Sequence, residues 1–229
     1  MCGRYASTRS AADLTALFEA VDETGGTVTP RYNVAPTDEV PVVRHSRRVG
    51  GRVVSLGRWG LLPAWVRDPR VGAKMINARA ETVATSRAYA EAFASRRALV
   101  PADGWDEWRR EGPARQAYFL TPADGSPLAF AGLWTRWGAA GRLTFCVVTT
   151  AAVGQVARVH ARMPLIVPPQ RWQRWLTGEA DPSLLAPPPV EVLDALEVRP
   201  VGPAVGDVRN DGPALVTRVE PAPVTPPLW

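Results

Sequence analysis

Short apolar runs and apolar–polar alternation cover much of the chain, and this pattern is typical of β-strands. Residues 98–150 form the longest such stretch, which turn-forming residues divide into several strands. Residues 39–44 and 52–61 predict a further antiparallel pair, joined by a turn at Gly50 and Gly51. The pattern therefore predicts a protein built mainly from short strands.

Helical spacing of apolar residues is limited to a few segments. Ser10 and Asp13 resemble the start of a capping box, and they predict a helix directly after them. The apolar face of this helix would consist of Leu14, Leu17, Phe18 and Val21. Residues 80–97 predict a second clear helix, and residues 153–159 and 170–176 predict two short ones.

Proline is frequent, with 23 in 229 residues, which is about double its usual share. Because proline interrupts helices and central strands, this content favours short elements. We therefore predict an α+β fold of a single domain, residues 2–220, in which a curved antiparallel or mixed β-sheet or partial barrel is flanked by short helices. Residues 221–229 predict a Pro-rich C-terminal tail.

The composition argues against several classes of protein. Hydrophobic residues make up 46% of the chain and charged residues 21%, as is usual for globular proteins. No apolar run approaches the ~20 residues of a membrane span, and the N-terminus lacks the layout of a signal peptide, so we expect a cytoplasmic protein. Two cysteines and two histidines supply neither a disulfide framework nor a metal-ligand cluster, so we expect no metal and no cofactor.

The charge favours a polyanionic partner only modestly. The net charge is +5 and the pI is about 9.8. Lys74 is the only lysine, so nearly all of the positive charge is arginine, whose forked guanidinium is the better donor to phosphate. The composition is therefore compatible with a nucleic-acid partner.

Cys2 is the residue with the most distinctive chemistry. Removal of Met1 would leave it with an α-amine and a thiol on adjacent carbons, which together form a 1,2-aminothiol. Ordinary pKa values of about 8 for the amine and about 8.5 for the thiol leave free base and thiolate available near neutral pH. An aldehyde would form an imine with the amine, and the thiol would then close a thiazolidine ring. The alternative is a small buried residue at the start of a strand.

Two further segments carry polar residues with open interpretations. Asn77 and Arg79 precede the predicted helix 80–97, where they could bind an oxygen-rich ligand or simply cap the helix. Thr149 and Thr150 end an apolar strand, where their hydroxyl groups could contact a phosphate or form a turn.

A carboxylate and an imidazole complete the candidate chemistry. Glu107 lies between Trp105 and Trp108, and desolvation among indoles would favour its protonated form, as suits a general acid or base. A solvated glutamate on an edge strand is the alternative. His160 is followed two residues later by Arg162, and it could be either catalytic or a structural hydrogen-bonding residue.

Taken in order, eight motifs along residues 2 to about 216 closely resemble the SOS-response-associated peptidase (SRAP) family, which includes the eukaryotic 5-hydroxymethylcytosine-binding proteins of embryonic stem cells. The motifs are Met-Cys-Gly-Arg-Tyr, Tyr-Asn-Val-Ala-Pro-Thr, Trp-Gly-Leu-Leu-Pro-Ala-Trp, Ile-Asn-Ala-Arg-Ala-Glu-Thr, Pro-Ala-Asp-Gly-Trp-Asp-Glu-Trp, Val-Val-Thr-Thr-Ala-Ala, His-Ala-Arg-Met-Pro and Val-Arg-Asn-Asp-Gly-Pro. The resemblance implies an enzyme of DNA repair that shields abasic sites in single-stranded DNA by a covalent crosslink through Cys2.

The resemblance also implies a role for each site residue. Cys2 would form the crosslink, Glu107 would transfer protons, Asn77 would orient the reacting groups, and His160 would assist sugar-ring opening and crosslink reversal. The implied DNA-binding residues are Arg4, Asn33, Pro36, Trp65, Arg79, Thr149, Thr150 and Arg162. Strand cleavage would be a lyase side reaction, and the word peptidase refers to a proposed self-removal of Met1.

Two other classes of function remain open from the sequence. One is an N-terminal-nucleophile cysteine hydrolase, in which Cys2 attacks an amide and His160 acts as the base. The other is a non-catalytic reader of single-stranded or modified DNA, in which Cys2 is only structural. In each case we expect a monomer without a membrane partner.

Overall fold

The computed structural model describes residues 2–111 and 114–220, and it confirms the predicted α+β class. The strands are β1 (Tyr5–Ser7), β2 (Ala20–Asp22), β3 (Arg31–Val34), β4 (Glu39–Ser46), β5 (Gly51–Trp59), β6 (Asn77–Arg79), β7 (Arg97–Ala102), β8 (Gly104–Glu111), β9 (Ala114–Pro122), β10 (Leu128–Trp137), β11 (Arg142–Ala151), β12 (Arg162–Pro164) and β13 (Leu196–Val201). The helices are α1 (Ala11–Phe18), α2 (Ala90–Ser95), α3 (Trp172–Thr177) and α4 (Val190–Asp194). The predicted tail, residues 221–229, lies outside the described residues.

The larger sheet closes into a barrel. Its strands follow the order β12-β11-β10-β7-β4-β5-β2, and β5 also pairs in parallel with β11, with Trp59 opposite Phe145. Gly57 lies at this junction, where a Cβ atom would come within 2.5 Å of the Leu143 side chain. The absence of a side chain at Gly57 therefore allows β5 and β11 to approach each other and close the five strands β11, β10, β7, β4 and β5.

The smaller sheet packs against the interior of this barrel. It has the order β13-β9-β8-β1-β3. Tyr5 on β1 meets Trp59 edge-on with ring centroids 5.1 Å apart, and Trp105 on β8 meets Phe130 on β10 at 5.9 Å. These aromatic contacts join the two sheets through one apolar core, to which Cys2 also belongs.

The first predicted helix is confirmed in its start but not in its full apolar face. Ser10 and Asp13 form the capping box, and Leu14 and Phe18 of α1 are buried. The other two predicted face residues, Leu17 and Val21, are exposed. Helix α1 ends at Phe18, so Val21 lies beyond it. Val21 lies on β2, which pairs with β5.

The predicted helix over residues 80–97 is wrong. Only α2, near its end, is an α-helix, and Arg97 already begins β7. Successive turns replace the rest, with Ser86 N–H donating to Thr82 O and the Thr85 hydroxyl to the same carbonyl. Hydroxyl side chains that bond to nearby backbone groups favour turns over a continuous helix.

The hairpin of residues 39–44 and 52–61 is confirmed by the β4–β5 pairing, with Ser46 opposite Gly51 at the turn. The predicted helix at 170–176 corresponds to α3 and a preceding 3₁₀ turn, whereas 153–159 holds only a 3₁₀ turn at Val156–Arg158.

Within residues 2–111 and 114–220, no helix is long and apolar enough to cross a membrane.

Candidate functional site

The fold brings together the four residues that the resemblance implied as catalytic. Cys2 is 4% exposed and lies just before β1, in the core between the two sheets. Asn77 on β6 donates through Nδ2 to the Cys2 carbonyl at 2.9 Å. Glu107 on β8 forms a hydrogen bond with the Cys2 thiol, and His160 Nδ1 lies 3.9 Å from Glu107 Oε1. Asn77 and Glu107 thus contact Cys2, and His160 lies next to Glu107.

The strand register explains why Glu107 reaches Cys2. Strands β1 and β8 are antiparallel, with Tyr5 opposite Trp105. Moving back along β1 toward Cys2 therefore corresponds to moving forward along β8 toward Glu107. Side chains two residues apart on a strand share a face, so Glu107 points into the same core as Trp105. Both residues are buried.

Burial and charge act together on the Cys2 thiol. Its removal from water raises the pKa of the Cys2 thiol well above the ordinary value, and the negative charge and hydrogen bond of Glu107 raise it further. The sequence-based expectation of an available thiolate is therefore not met in this site. At neutral pH the sulfur carries its proton, so any bond that it forms requires a base to accept that proton. Glu107 is the carboxylate in position to do so.

The two polar atoms of the Asn77 side chain differ, since Nδ2 donates a hydrogen bond to Cys2 and Oδ1 accepts none from the described residues. Its backbone carbonyl accepts a hydrogen bond from the Tyr89 hydroxyl at 3.1 Å, which fixes the residue on β6. The side-chain Oδ1 is buried and has no hydrogen-bond partner among the described residues. A buried acceptor without a partner costs ~1–3 kcal/mol. Such an atom beside the backbone of Cys2 is suited to accept a hydrogen bond from an amine at that position.

The imidazole of His160 is held by the backbone of Arg162. The Arg162 N–H donates to His160 Nδ1 at 3.0 Å, and the Arg162 carbonyl lies 3.1 Å from the same nitrogen. The first contact suits a neutral Nδ1, and the second suits a protonated one. The contacts are therefore compatible with either tautomer of the ring.

The guanidinium of Arg162 is already paired with a carboxylate. Its two terminal nitrogens contact the two oxygens of Glu81 at 2.5 and 3.0 Å, and NH2 also donates to the Thr149 carbonyl at 2.6 Å. Glu81 is half exposed, whereas Arg162 is largely buried. A carboxylate in this bidentate geometry occupies the position that a phosphate would take on the arginine. Sequence reasoning gave Glu81 no role, since only the fold pairs it with a residue 81 positions away.

Replacing Glu81 by glutamine should strengthen binding of unmodified single-stranded DNA about threefold at low salt. The reason is that a phosphate would no longer displace a charged competitor whose ion pair with Arg162 is worth up to ~1 kcal/mol. Fluorescence anisotropy with a labelled oligonucleotide measures the change. The control is Glu191→Gln, the same charge change at an exposed position of α4. Equal affinities of the two variants would contradict this role of Glu81.

Arg4 and Asn33 connect the start of the chain to a distant loop. Arg4 donates to Asn33 Oδ1 at 2.9 Å and to the Val205 carbonyl at 2.7 Å. Asn33 is fully buried and donates to the carbonyls of Asp207 and Asn210. The side-chain amide of Asn33 thus makes hydrogen bonds only to protein groups among those described. Its DNA-binding role stays a prediction, in which Asn33 would act by holding Arg4 in place.

The other implied DNA-binding residues lie at three places in the fold. Arg79 is exposed at the end of β6, opposite Thr149 in the β6–β11 pairing, and Thr150 is buried beside it on β11. Pro36 is half-buried after β3. Trp65 lies apart, 56% exposed on the loop after β5, with the Arg87 guanidinium 5.2 Å from its ring centroid.

Asp106 is a buried carboxyl that sequence reasoning assigned to no function. It faces the opposite side of β8 from Glu107, and both of its oxygens lack hydrogen-bond partners among the described residues. Burial raises the pKa of Asp106 to about 7, although the positive charge of Arg4 opposes this rise. The negative charge of Glu107 adds to this rise, although the two carboxyl groups lie on opposite faces of β8. Within the described residues, no group of three or more His, Cys, Asp and Glu side chains is arranged to share a metal ion.

Known proteins match this chain along most of its length. The family model described as SOS response associated peptidase (SRAP) matches residues 1–208. Abasic site processing protein YedK of Escherichia coli strain K12 is 33% identical over 228 residues, covering 96% of this chain and 100% of that protein. Abasic site processing protein YoqW of Bacillus subtilis strain 168 is 32% identical, covering 94% and 99%. A crystal structure of a Bacteroides thetaiotaomicron protein has the same fold, with a TM-score of 0.82 at 23% identity, covering 96% of this chain and 100% of that one.

Proposed function

The chain belongs to the SOS response associated peptidase family, and from that membership we propose that it processes abasic sites in DNA, by a covalent crosslink to Cys2. The names of its relatives support abasic-site processing. The observation that carries the crosslink is the hydrogen bond between the buried Cys2 thiol and Glu107, at a residue that Met1 removal would make the N-terminus. Both reactive groups of an aminothiol would then lie beside a proton acceptor.

The first step joins the α-amine of Cys2 to the aldehyde of the ring-opened abasic sugar. The nitrogen attacks C1′, and loss of one water leaves an imine. Asn77 contributes by position, since its Nδ2 already holds the Cys2 carbonyl and its open Oδ1 is available to the amine. Fixing the amine in this way supports attack from one direction.

The second step closes the thiazolidine ring. The Cys2 sulfur bonds to C1′, the electron pair of the C=N bond moves to nitrogen, and nitrogen takes up a proton. Because the thiol is protonated at neutral pH, its proton must leave as the bond forms, and Glu107 accepts it and returns it to nitrogen. The protein thus loses and gains no net proton, and the whole reaction releases one water.

His160 is assigned to the sugar. Its Nδ1 lies 3.9 Å from Glu107 and is held by the Arg162 backbone, which fixes the ring beside the carboxylate. In that position it assists opening of the deoxyribose ring and reversal of the crosslink. Elimination from the imine would cut the strand, and ring closure by sulfur competes with it, so strand cleavage is a minor product.

Single-stranded DNA is the form of substrate that fits best. Cys2 is nearly enclosed, and a flexible strand can bend a sugar into such a site more easily than a stacked duplex can. Arg4, Arg79 and Arg162 would neutralise phosphates around it. We propose that the protein acts as a monomer in the cytoplasm of a bacterial cell, on the DNA of the nucleoid.

Intact-mass spectrometry tests this function. The purified protein should lack Met1, and incubation with an abasic single-stranded oligonucleotide should give a denaturation-stable adduct lighter than the sum of the reactants by one water. An oligonucleotide with an intact base at the same position is the control and should give no adduct. A protein without Met1 that forms no adduct would refute the proposal, and turnover of an amide substrate would then favour the hydrolase.

A further inference from the structure

A groove on the barrel shares no lining residue with the pocket around Cys2. It consists of two adjoining cavities of about 620 and 230 Å³, which share Arg96 and Trp134 as lining residues. We name it the distal groove and define it by Trp65, Arg87, Arg96, Trp134, Arg136 and Arg47. Arg47 and Arg136 are exposed, on the turn after β4 and near the end of β10.

Positive charge exceeds negative charge around this groove, although Glu91 lines the smaller cavity and pairs with Arg96 at 2.9 Å. Arg44 lines the larger cavity, and it shares the single carboxylate of Glu23 with Arg48, at 2.5 and 2.8 Å. Burial lowers the pKa of Arg44, Glu23 opposes this, and the positive charges of Arg136 and Arg48 lower the pKa further. The arginines therefore repel one another, and a bound anion would relieve that repulsion.

Aromatic rings alternate with these arginines. The Arg44 guanidinium lies 5.2 Å from the ring centroid of Trp134, and Arg87 lies at the same distance from Trp65. Trp134 is only partly buried and lines both cavities. Surfaces that combine aromatic rings with arginines in this way bind single strands, because bases stack on the rings while phosphates meet the cations.

The groove is connected to the Cys2 site through residues 80–89. At one end of these turns, Glu81 pairs with Arg162, and near the other end Tyr89 donates to the carbonyl of Asn77. Arg87 lies on the same segment and reaches Trp65. A DNA strand that leaves the Cys2 site along residues 80–89 would enter the groove at Trp65.

We infer that the distal groove binds the DNA strand that flanks the abasic site, with phosphates on Arg47 and Arg136 and bases against Trp134. The inference rests on the proposed function, and it adds a second contact region that holds the strand beyond the reacting sugar. A polyanion such as a DNA strand is favoured over a single small anion, because the arginines extend through two adjoining cavities.

The test is the double variant Arg47→Gln/Arg136→Gln, with binding of an unmodified single strand of about 20 nucleotides measured against salt concentration. Loss of two phosphate contacts should weaken binding about three- to tenfold at low salt and reduce the slope of log affinity against log salt by about 1.4. Both side chains are exposed and lie outside the Cys2 site, so the fold and the crosslinking chemistry should be unaffected.

The control variant is Arg110→Gln/Arg115→Gln, which removes two exposed arginines that face each other on β8 and β9 of the other sheet. Equal losses in both double variants, or an unchanged salt slope, would overturn the inference. A strand of about 5 nucleotides with a central abasic site is too short to span both regions, and its crosslinking rate should be equal in wild type and variant. If wild type binds through the groove but forms no crosslink, the proposed function fails while the groove stands.

Discussion

Replacing Cys2 by alanine should reduce the yield of covalent DNA adduct by at least about a hundredfold, because the second bond to C1′ depends on sulfur and on its proximity to the amine. The α-amine of residue 2 survives the substitution, so an imine can still form, but it hydrolyses when the protein is denatured. Intact-mass spectrometry after incubation with an abasic oligonucleotide measures the remaining adduct.

Three further variants sharpen the interpretation of Cys2. Cys2→Ser keeps a side-chain nucleophile but cannot form a thiazolidine, so it should also give no stable adduct. Cys146→Ala removes the other cysteine, which is fully buried on β11, and should react like wild type. Lys74→Ala removes the only lysine ammonium and should likewise have no effect. An adduct that persists in Cys2→Ala but disappears in Lys74→Ala would assign the crosslink to Lys74.

Replacing Glu107 by glutamine should slow adduct formation by about 10²- to 10⁴-fold, the usual range for removal of a proton-transferring group. Glutamine keeps the size of the side chain but cannot accept the proton of the Cys2 thiol. The affinity for unmodified DNA should change little, because Glu107 is buried beside sulfur rather than exposed to phosphates. Single-turnover crosslinking rates and anisotropy titrations measure the two quantities separately.

Asp106→Asn provides the matched control for Glu107. Asp106 is the adjacent buried carboxyl on β8, but it faces away from the Cys2 side. The control should therefore crosslink at nearly the wild-type rate. If both variants react equally slowly, a general disturbance of β8 explains the result, and if Glu107→Gln reacts at the wild-type rate, Glu107 transfers no proton.

The strands could be predicted from the sequence where pairing is local. The β4–β5 hairpin combines two apolar segments with a glycine turn, and all of these signals lie within 25 residues. Closure of the barrel could not be predicted, because the parallel contact of β5 with β11 joins segments about 85 residues apart. The false helix at 80–97 arose because apolar spacing was weighed without the turns at Thr82, where the Thr85 hydroxyl bonds to the Thr82 carbonyl.

Some features of the candidate site could also be predicted from the sequence, whereas others could not. The choice of Cys2, Asn77, Glu107 and His160 came from motifs, and the fold places these residues in one group. The protonated state of the thiol was not predictable, since it depends on how deeply Cys2 is enclosed. Likewise, the pairing of Glu81 with Arg162 depends on contacts between β6, β11 and β12.

Burial of the Cys2 sulfur also limits which molecules can react with it. Peroxides attack thiolates rather than thiols, and they need access to sulfur, so a protonated and buried cysteine resists oxidation to sulfenic acid. Simple aldehydes such as formaldehyde and acetaldehyde carry no phosphate with which to bind the surrounding arginines, so they gain no residence time beside the amine. Under the proposed function, the nucleophile would thereby be kept reduced and unmodified until a DNA strand brings an aldehyde to it.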